Sequence, residues 1–350
     1  MVHIILSIVF AFLIALLSTP IMREIALLLS ATATKNHRTV HNGAIPKLGG
    51  VAVYLGCLGG VLLLFSLQGF PAESGRMLTG LLIGTTLMLL LGITDDVHEL
   101  NCYEKFAIQV FGATLMTLFG IEIRAITLPI LGTLHLGVFT IPFTVLWIVG
   151  VANAINLIDG LDGLAVGIVL LATITTLVGG GLGNNILIIS LCCVLLGSLL
   201  GFFPHNHHKA TIFLGDSGSL MLGFLLAILT LQGARLPDGA IAFHIPILAL
   251  ALPLTDTTMA IIRRLKKHVH PFKADKLHIH HRLLNRYKNH RQAVYVLWAF
   301  ACICQALALS FYFLNDIVSV SLLIISIVTL FVLVRRFEIL KVTMCEHYSS

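Results

Sequence analysis

The chain has 350 residues, of which 57% are hydrophobic and 11% are charged, and its formal net charge is +6. A soluble domain carries about 25% charged residues, and the mean hydropathy here is +0.98. These values exclude an ordinary soluble protein, since apolar runs long enough to cross a bilayer recur along the whole length. The sequence therefore predicts an all-α integral membrane protein, with residues 1–350 forming a single polytopic domain.

About eleven transmembrane helices are predicted. The first apolar run has no positive charge before it and Lys and Arg after it, which favours an uncleaved span with the N-terminus outside. Nearly all Lys and Arg then fall in inside loops, with Arg76, Arg124 and Arg235 as the exceptions, and the C-terminus is cytoplasmic. The predicted spans are residues 3–19, 48–68, 76–93, 105–120, 139–154, 164–180, 186–203, 218–235, 241–263, 293–313 and 316–334.

The same orientation brings aspartates from four separate segments to the cytoplasmic end. Acidic residues are expensive within hydrocarbon, so their presence beside apolar spans indicates function. On the opposite side, the loop at 120–140 carries Gly, Pro and alternating apolar residues, which predicts a short hairpin. The predicted active site is formed by the cytoplasmic loops at about 20–47, 94–104, 153–163, 204–217 and 264–292.

Asp95 and Asp96 end the third span, in LGITDDVHEL. Two adjacent carboxylates repel each other, which raises the affinity of the pair for a proton or a divalent cation. The structural alternative is that they cap the N-terminus of the next helix near Tyr103. The sequence leaves both interpretations open.

The segment NAINLIDGLDG holds four polar residues at a spacing of three: Asn153, Asn156, Asp159 and Asp162. If the segment is helical, these side chains share one face. The glycine after each aspartate permits a turn or the close approach of a substrate. Apolar residues occupy the opposite side, so a functional role is favoured over a solvated loop.

Asp216 lies in TIFLGDSGSL, just before the eighth span. Helix capping by Asp or Ser is ordinary, but a Gly-Asp-Ser-Gly-Ser turn at a helix N-terminus also suits a phosphate or hydrated Mg²⁺. Asp256, near the inner end of the ninth span, either pairs with Arg263 or Arg264 or belongs to the site.

The long basic loop is rich in histidine: His268, His270, His278, His280 and His281. A zinc site is disfavoured because two of these histidines are adjacent and no cysteine accompanies them. Together with Lys and Arg, they favour a cationic wall for phosphates, and the alternative is a basic loop against anionic headgroups. Carboxylates and bases at one surface suit phosphate chemistry, in which a divalent cation bridges the acids to phosphate oxygens.

Five segments in this order resemble one enzyme family, the polyprenyl-phosphate N-acetylhexosamine-1-phosphate transferases. The likeness covers about residues 20–292 and is strongest to the bacterial undecaprenyl-phosphate α-N-acetylglucosaminyl 1-phosphate transferases. It implies transfer of GlcNAc-1-phosphate from UDP-GlcNAc to undecaprenyl phosphate at the inner face of the plasma membrane, with release of UMP and with Mg²⁺ or Mn²⁺. The segments are RTVHNGAIPKLGG (38–50), LGITDD (91–96), NAINLIDGLDGL (153–164), FLGDSGSLMLGF (213–224) and IRRLKKHVHPFKADKLHIHHRLL (262–284).

The resemblance also implies residue roles. Asp216 is the expected metal-binding aspartate, with Asn156 as a second metal contact. Asp95 is expected to be the base that deprotonates the lipid phosphate or a covalent nucleophile, supported by Asp96. The expected residues of the nucleotide and catalytic region are Asp159 and Asp162.

Substrate binding is expected from the HIHH tract and its neighbours. His278, His280 and His281 match the sugar-phosphate-binding signature, and Arg263 or Arg264 would contact phosphate. The sequence departs from the family pattern in two places. Thr34 and Lys35 stand where family members often have Asp and Pro, and Val97 replaces a basic residue that follows the paired aspartates in close relatives. Both differences affect the expected loop contacts and not the reaction. The further substrate-binding candidates are Lys47 and Asn153.

Alternatives remain at this point. A related transferase would use UDP-MurNAc-pentapeptide or UDP-GalNAc, but HIHH in place of a triple-His tract disfavours the pentapeptide substrate. A proton-coupled transporter is disfavoured because the acids lie at one face and no inverted repeat is visible. Membrane lipids are expected partners and nucleic acid is not, and a homodimer is left open. The expected location is the bacterial inner membrane, feeding O antigen, enterobacterial common antigen or teichoic acid.

Overall fold

Thirteen helices make up most of the chain in the computed structural model, which describes residues 2–32, 45–69, 72–268 and 278–336. They are α1 (Val2–Leu28), α2 (Gly49–Gln68), α3 (Ala72–His98), α4 (Cys102–Leu118), α5 (Thr140–Ile158), α6 (Leu164–Leu182), α7 (Ile186–Asn206), α8 (Gly215–Gly233), α9 (His244–Ala249), α10 (Ala251–Lys266), α11 (Ile279–Tyr287), α12 (His290–Phe313) and α13 (Asp316–Arg336).

Eight of the described helices are long and apolar enough to cross a membrane, namely α1, α2, α3, α5, α6, α7, α8 and α12. The other three predicted spans fall on α4, on α9 with α10, and on α13. The protein is thus a multi-pass, mostly helical membrane protein. The predicted total of eleven spans and their orientation stay predictions.

Helix α8 is the centre of the bundle, and almost every one of its residues is buried. Its N-terminal turn lies very close to two neighbouring helices. A Cβ added to Gly50 of α2 would lie 2.1 Å from the backbone N of Gly218, and one added to Gly92 of α3 would lie 2.3 Å from the Cα of Ser217. Small residues allow this approach in membrane helix packing. The start of α8 is therefore fixed by α2 and α3.

The predicted span 241–263 is not one continuous helix, because the helix is interrupted between α9 and α10. Pro253 has no N–H to donate to the carbonyl of Ala249, four residues earlier. That carbonyl instead accepts a hydrogen bond of 2.8 Å from Gln305 Nε2 of α12. Gln305 Oε1 in turn accepts from Thr175 Oγ1 of α6 at 2.6 Å. Side chains of two other helices thus stabilise the break.

The predicted hairpin is confirmed. Strands β1 (Ala125–Leu128) and β2 (Gly132–His135) pair antiparallel, and the short strand β3 (Ile241–Ala242) pairs parallel with β1. The strand order is β2-β1-β3. Because β2 leads into the start of α5, this sheet lies at the end of the bundle opposite the C-terminus of that helix.

Candidate active site

A cleft of about 210 Å³ lies where the C-terminal ends of α3 and α5 meet the N-terminus of α8. Carboxylates that are far apart in the sequence come together here, as the sequence predicts. The residues that line the cleft include Lys47, Asp96, Asn156, Asp159, Asp162 and Asp216.

Asp96 caps helix α8. Its Oδ1 accepts a hydrogen bond from the backbone N of Asp216 and its Oδ2 accepts one from the backbone N of Ser217, each at 3.0 Å. Gly215 precedes them at φ +74°, and a Cβ there would lie 2.5 Å from Asp96 Oδ2. The N–H groups that begin a helix need such partners. These two groups are therefore already bonded, and the predicted phosphate site at this helix N-terminus does not use them.

Asp95 and Asp216 share one ammonium group. Lys105 Nζ lies 2.6 Å from Asp95 Oδ2 and 3.4 Å from Asp216 Oδ2. The other Asp95 oxygen accepts from the backbone N of Leu100 at 2.8 Å. The predicted alternative that the Asp95-Asp96 pair caps α4 is wrong, because Asn101 forms that cap. The role of Lys105 was not predicted, although a lone lysine that follows paired acids by about ten residues is a signal for it.

Asn156 connects the end of α5 to α8. Its Nδ2 donates to Asp216 Oδ1 and to Ser219 Oγ, each at 2.9 Å. Asn153, one turn earlier, faces another helix, where its Nδ2 donates to Gln109 Oε1 of α4 at 2.6 Å. Asn153 is not among the residues that line the cleft. Its predicted role in substrate binding stays a prediction.

The polar residues at 153–162 do not share one helical face, because α5 ends at Ile158. Asp159 is the C-cap residue, with φ −75° and ψ 47°, and Gly163 stands in the left-handed region at φ +74°. Of the two glycines that the sequence offers as turn residues, Gly163 is the N-cap residue of α6, and α5 ends before Gly160. We call residues 159–163 the acid turn.

The two aspartates of the acid turn have different surroundings. Asp162 Oδ2 accepts from the backbone N of Ala210 at 3.1 Å, and Oδ1 lies 3.8 Å from His290 Nε2. No hydrogen bond joins the Asp159 carboxylate to another described residue. Burial, and then repulsion from Asp216 and other neighbouring carboxylates, raises the pKa of Asp159 well above its usual value.

Asp256 contacts the start of α11. Its Oδ2 lies 2.9 Å from His278 Nδ1, and its Oδ1 accepts from the backbone N of Ile279 at 2.8 Å. Pairing with Arg263 or Arg264 and a role in the site were the predicted alternatives for Asp256, and the contact with His278, 22 residues away, was not predicted.

The predicted cationic wall does not describe His278 and His280, which are only 4% and 2% exposed. A Cβ added to Gly160 would lie 2.2 Å from His280 Nε2, so this ring packs against the acid turn. Burial, and then the neighbouring His281, lowers the pKa of His280 to about 4, which leaves the ring neutral at pH 7.

The remaining predicted residues lie around this core. Arg263 and Arg264 are in the last turn of α10, and His281 is in the first turn of α11. Lys47 lines the cleft. Residues 33–44, with the RTVH tract and its departures, and 269–277, with His270, are outside the described residues.

The carboxylates of the described residues fit one type of metal site. Among the described residues, no group of three His, Cys, Asp or Glu side chains is arranged to hold an ion. Mg²⁺ is usually bound by only one or two carboxylates, with waters and substrate phosphates as the other ligands. Asp95 and Asp216 already share the cation of Lys105. The pair therefore fits Mg²⁺ or Mn²⁺ bound together with a substrate and does not fit a closed zinc cage.

Comparison with known proteins identifies the family. Residues 78–234 match glycosyl transferase family 4. A Bacillus subtilis protein named "Probable undecaprenyl-phosphate N-acetylglucosaminyl 1-phosphate transferase" is 40% identical over 85% of this chain and 82% of its own length. A decaprenyl-phosphate N-acetylglucosaminephosphotransferase of Mycolicibacterium smegmatis is 32% identical over 93% of this chain and 87% of its own length.

A second group of relatives matches a shorter part of the chain. A phospho-N-acetylmuramoyl-pentapeptide-transferase of Lactiplantibacillus plantarum is 38% identical, but over 40% of this chain and 47% of its own length. The relatives named for N-acetylglucosamine therefore resemble this chain over about twice the length. Together with the convergent carboxylates, these likenesses show that the chain belongs to the polyprenyl-phosphate N-acetylhexosamine-1-phosphate transferase family.

Proposed function

We propose that this protein transfers GlcNAc-1-phosphate from UDP-GlcNAc to undecaprenyl phosphate, which gives undecaprenyl-pyrophosphoryl-GlcNAc and UMP. The observation that carries the proposal is the convergence of Asp95, Asp159 and Asp216 at one end of a membrane helix bundle. Such an arrangement suits a reaction between two phosphate compounds, one of them in the membrane. The names of the relatives supply the sugar and the polyprenyl phosphate.

Mg²⁺, or Mn²⁺ in its place, is the proposed cofactor. Asp216, which shares the ammonium group of Lys105 with Asp95, would hold it, and Asn156 would keep the Asp216 carboxylate oriented through its hydrogen bond of 2.9 Å. When bound, the cation supplies charge neutralisation on the pyrophosphate and stabilises the UMP leaving group. Lys105 contributes a second positive charge against the same two carboxylates.

Asp159 is the residue we assign to proton transfer. Its carboxylate has no hydrogen bond to another described residue, and its pKa is raised by burial and by Asp216. A raised pKa makes a carboxylate a stronger base. It would take the proton of the lipid phosphate as that group attacks the β-phosphorus of UDP-GlcNAc.

Asp95 was expected to act as base or nucleophile, but both of its oxygens already accept hydrogen bonds, from Leu100 and Lys105. This geometry favours direct attack by the lipid phosphate over a covalent route through Asp95. Exchange of labelled UMP into UDP-GlcNAc without lipid acceptor would support the covalent route. Absence of exchange, with full transfer once lipid is added, is the expected result.

The proposed location is the bacterial inner membrane, with the cleft on the cytoplasmic side. The support for this orientation is the distribution of Lys and Arg between the loops. The lipid product would begin a cell-surface polysaccharide.

A membrane assay tests the proposal. The protein is incubated with undecaprenyl or decaprenyl phosphate and with UDP-GlcNAc, UDP-GalNAc or UDP-MurNAc-pentapeptide, with and without Mg²⁺. We expect UMP release that requires UDP-GlcNAc, a polyprenyl phosphate and Mg²⁺, with Asp216→Asn as the inactive control. Preferential use of UDP-MurNAc-pentapeptide, or full activity without a divalent cation, would contradict it.

A further inference from the structure

Asp256 is a buried carboxylate of α10, 1% exposed, and both of its oxygens bond residues at the start of α11. An ionised carboxylate is expensive to bury unless its oxygens are bonded. Here the partners are 22 and 23 residues away, across the basic loop. The carboxylate therefore joins two helices that the sequence alone does not hold together.

The two bonds have different consequences. Ile279 N is the first N–H of α11, and His278, the N-cap residue, makes no side-chain cap of its own. Asp256 thus supplies the missing cap from another helix. A carboxylate only accepts hydrogen bonds, so His278 Nδ1 must carry a proton. This fixes the tautomer and the orientation of the ring.

From His278 the contacts continue to the acid turn. The His278 and His280 rings are stacked, with centroids 5.7 Å apart and planes 9° apart. His280 Nε2 lies so close to Gly160 that a Cβ there would be 2.2 Å away. Gly160 follows Asp159 directly. A continuous series of contacts therefore runs from Asp256 to Gly160, the neighbour in the chain of the aspartate that we assign to proton transfer.

We propose that Asp256 is a positioning residue that holds α11 against the acid turn and sets the tautomer of His278. It acts through His278 and Ile279 and does not itself touch substrate. The consequence for transfer rests on the proposed function, since the aligned histidines are those expected to bind the sugar phosphate. The docking of α11 can be measured without any substrate.

The first measurement is hydrogen exchange of the backbone in the segment 278–287, on the full-length protein in detergent. Asp256→Ala removes both bonds, and we expect protection of this segment to fall at least tenfold. Asp256→Asn keeps an oxygen for Ile279 N but cannot accept from His278 Nδ1–H, so protection should stay within about threefold of the wild type. Thr258→Ala, an exposed neighbour on α10, is the matched control and should change nothing.

The second measurement is steady-state transfer. We expect kcat to fall about 100-fold in Asp256→Ala and about tenfold in Asp256→Asn, with KM for the lipid acceptor unchanged. Because Asp256 acts through His278, the double variant Asp256→Asn/His278→Ala should be no slower than His278→Ala alone. Multiplying losses would overturn the positioning role, since they would mean that the two residues act independently.

Unchanged protection in Asp256→Ala would overturn the proposal whatever happens to activity. If Asp256→Ala does not fold, Asp256→Asn and the double variant still decide the matter through kcat. Failure of the proposed function would look different. The wild type itself would then release no UMP from UDP-GlcNAc, while the hydrogen-exchange results for the segment 278–287 would be unchanged.

Discussion

Asp159 and Asp162 stand three residues apart in one turn, each followed by glycine, yet the protein uses them in opposite ways. The Asp162 carboxylate holds the backbone of Ala210 and lies beside His290. The Asp159 carboxylate bonds no other described residue, and its neighbours raise its pKa. A half-buried carboxylate that is surrounded by other carboxylates is unfavourable for stability. Asp159, which is unfavourable for stability, is therefore the candidate for chemistry, and Asp162, whose carboxylate is bonded, is the candidate for structure.

Other acids at this end of the molecule can be divided in the same way, by whether their carboxylate oxygens are bonded to another segment. Asp96 and Asp256 resemble Asp162, because both oxygens of each hold groups of another segment. Asp216 resembles Asp159 more closely, since one oxygen is held by Asn156 and the other faces Lys105 at 3.4 Å.

The largest expected effect follows from changing Asp216. Asp216→Asn should reduce kcat by about 10³-fold or more, because the residue would lose the charge that holds a cation. The protein should stay folded, since an Asn oxygen can still accept from Asn156. Transfer assays and thermal unfolding in detergent measure the two quantities. Retained activity would remove the metal assignment.

Asp159→Asn should come next, with kcat reduced by about 10²- to 10³-fold, as for loss of a general base. Its thermal stability should be equal to that of the wild type or higher, because the change removes a charge that Asp216 repels. Lower stability together with normal kcat would show that Asp159 has a structural role and no role in the reaction.

Asp162→Ala should act mainly on stability. The backbone N–H of the buried Ala210 would lose its acceptor, at a cost of about 1–3 kcal/mol in the free energy of unfolding. We expect only about a tenfold loss of kcat, through movement of the acid turn. Asp162→Asn is the matched variant, and its remaining oxygen should restore most of the stability. A greater loss of kcat than in Asp159→Asn would contradict the assignment.

Gly160→Ala tests the turn without removing an acid. The new Cβ would meet His280 Nε2 at 2.2 Å, so α11 must move away. We expect KM for UDP-GlcNAc to rise about tenfold while kcat falls less. Gly181→Ala is the control, since a Cβ there meets nothing within 4 Å. Equal kinetics of the two variants would show that α11 does not act on the turn.

The last prediction concerns pH and the docking of α11 alone. The pKa of His280 is lowered to about 4 when α11 is docked, whereas an exposed histidine has a pKa of about 6.5. Between pH 4 and pH 6.5, roughly, the undocked state therefore binds more protons than the docked state. Docking should therefore weaken as the pH falls through this range, by at most about 3 kcal/mol. Hydrogen exchange of the segment 278–287, corrected for intrinsic rates at pH 7 and pH 5, measures it. Stronger protection at pH 5 would contradict a neutral, buried His280.

The sequence predicted the membrane class, the hairpin and the convergence of the acids, because each follows from a local pattern of apolar and charged residues. Which acid bonds which group could not be predicted. Asp96 caps α8, 120 residues away, and not the neighbouring α4. That choice depends on the close contact of α3 and α8, which allows the carboxylate to reach the N-terminus of α8. The end of α5 at Ile158 likewise decided which polar residues face the cleft.

The most direct test of the account is Mn²⁺ binding followed by electron paramagnetic resonance, on purified protein with UDP-GlcNAc present and lipid acceptor absent. We predict that one Mn²⁺ binds per chain in the wild type and in Asp162→Asn, and that Asp216→Asn loses this binding. Equal Mn²⁺ binding by Asp216→Asn and the wild type would contradict the claim that the convergent carboxylates hold the reacting phosphates through a shared cation.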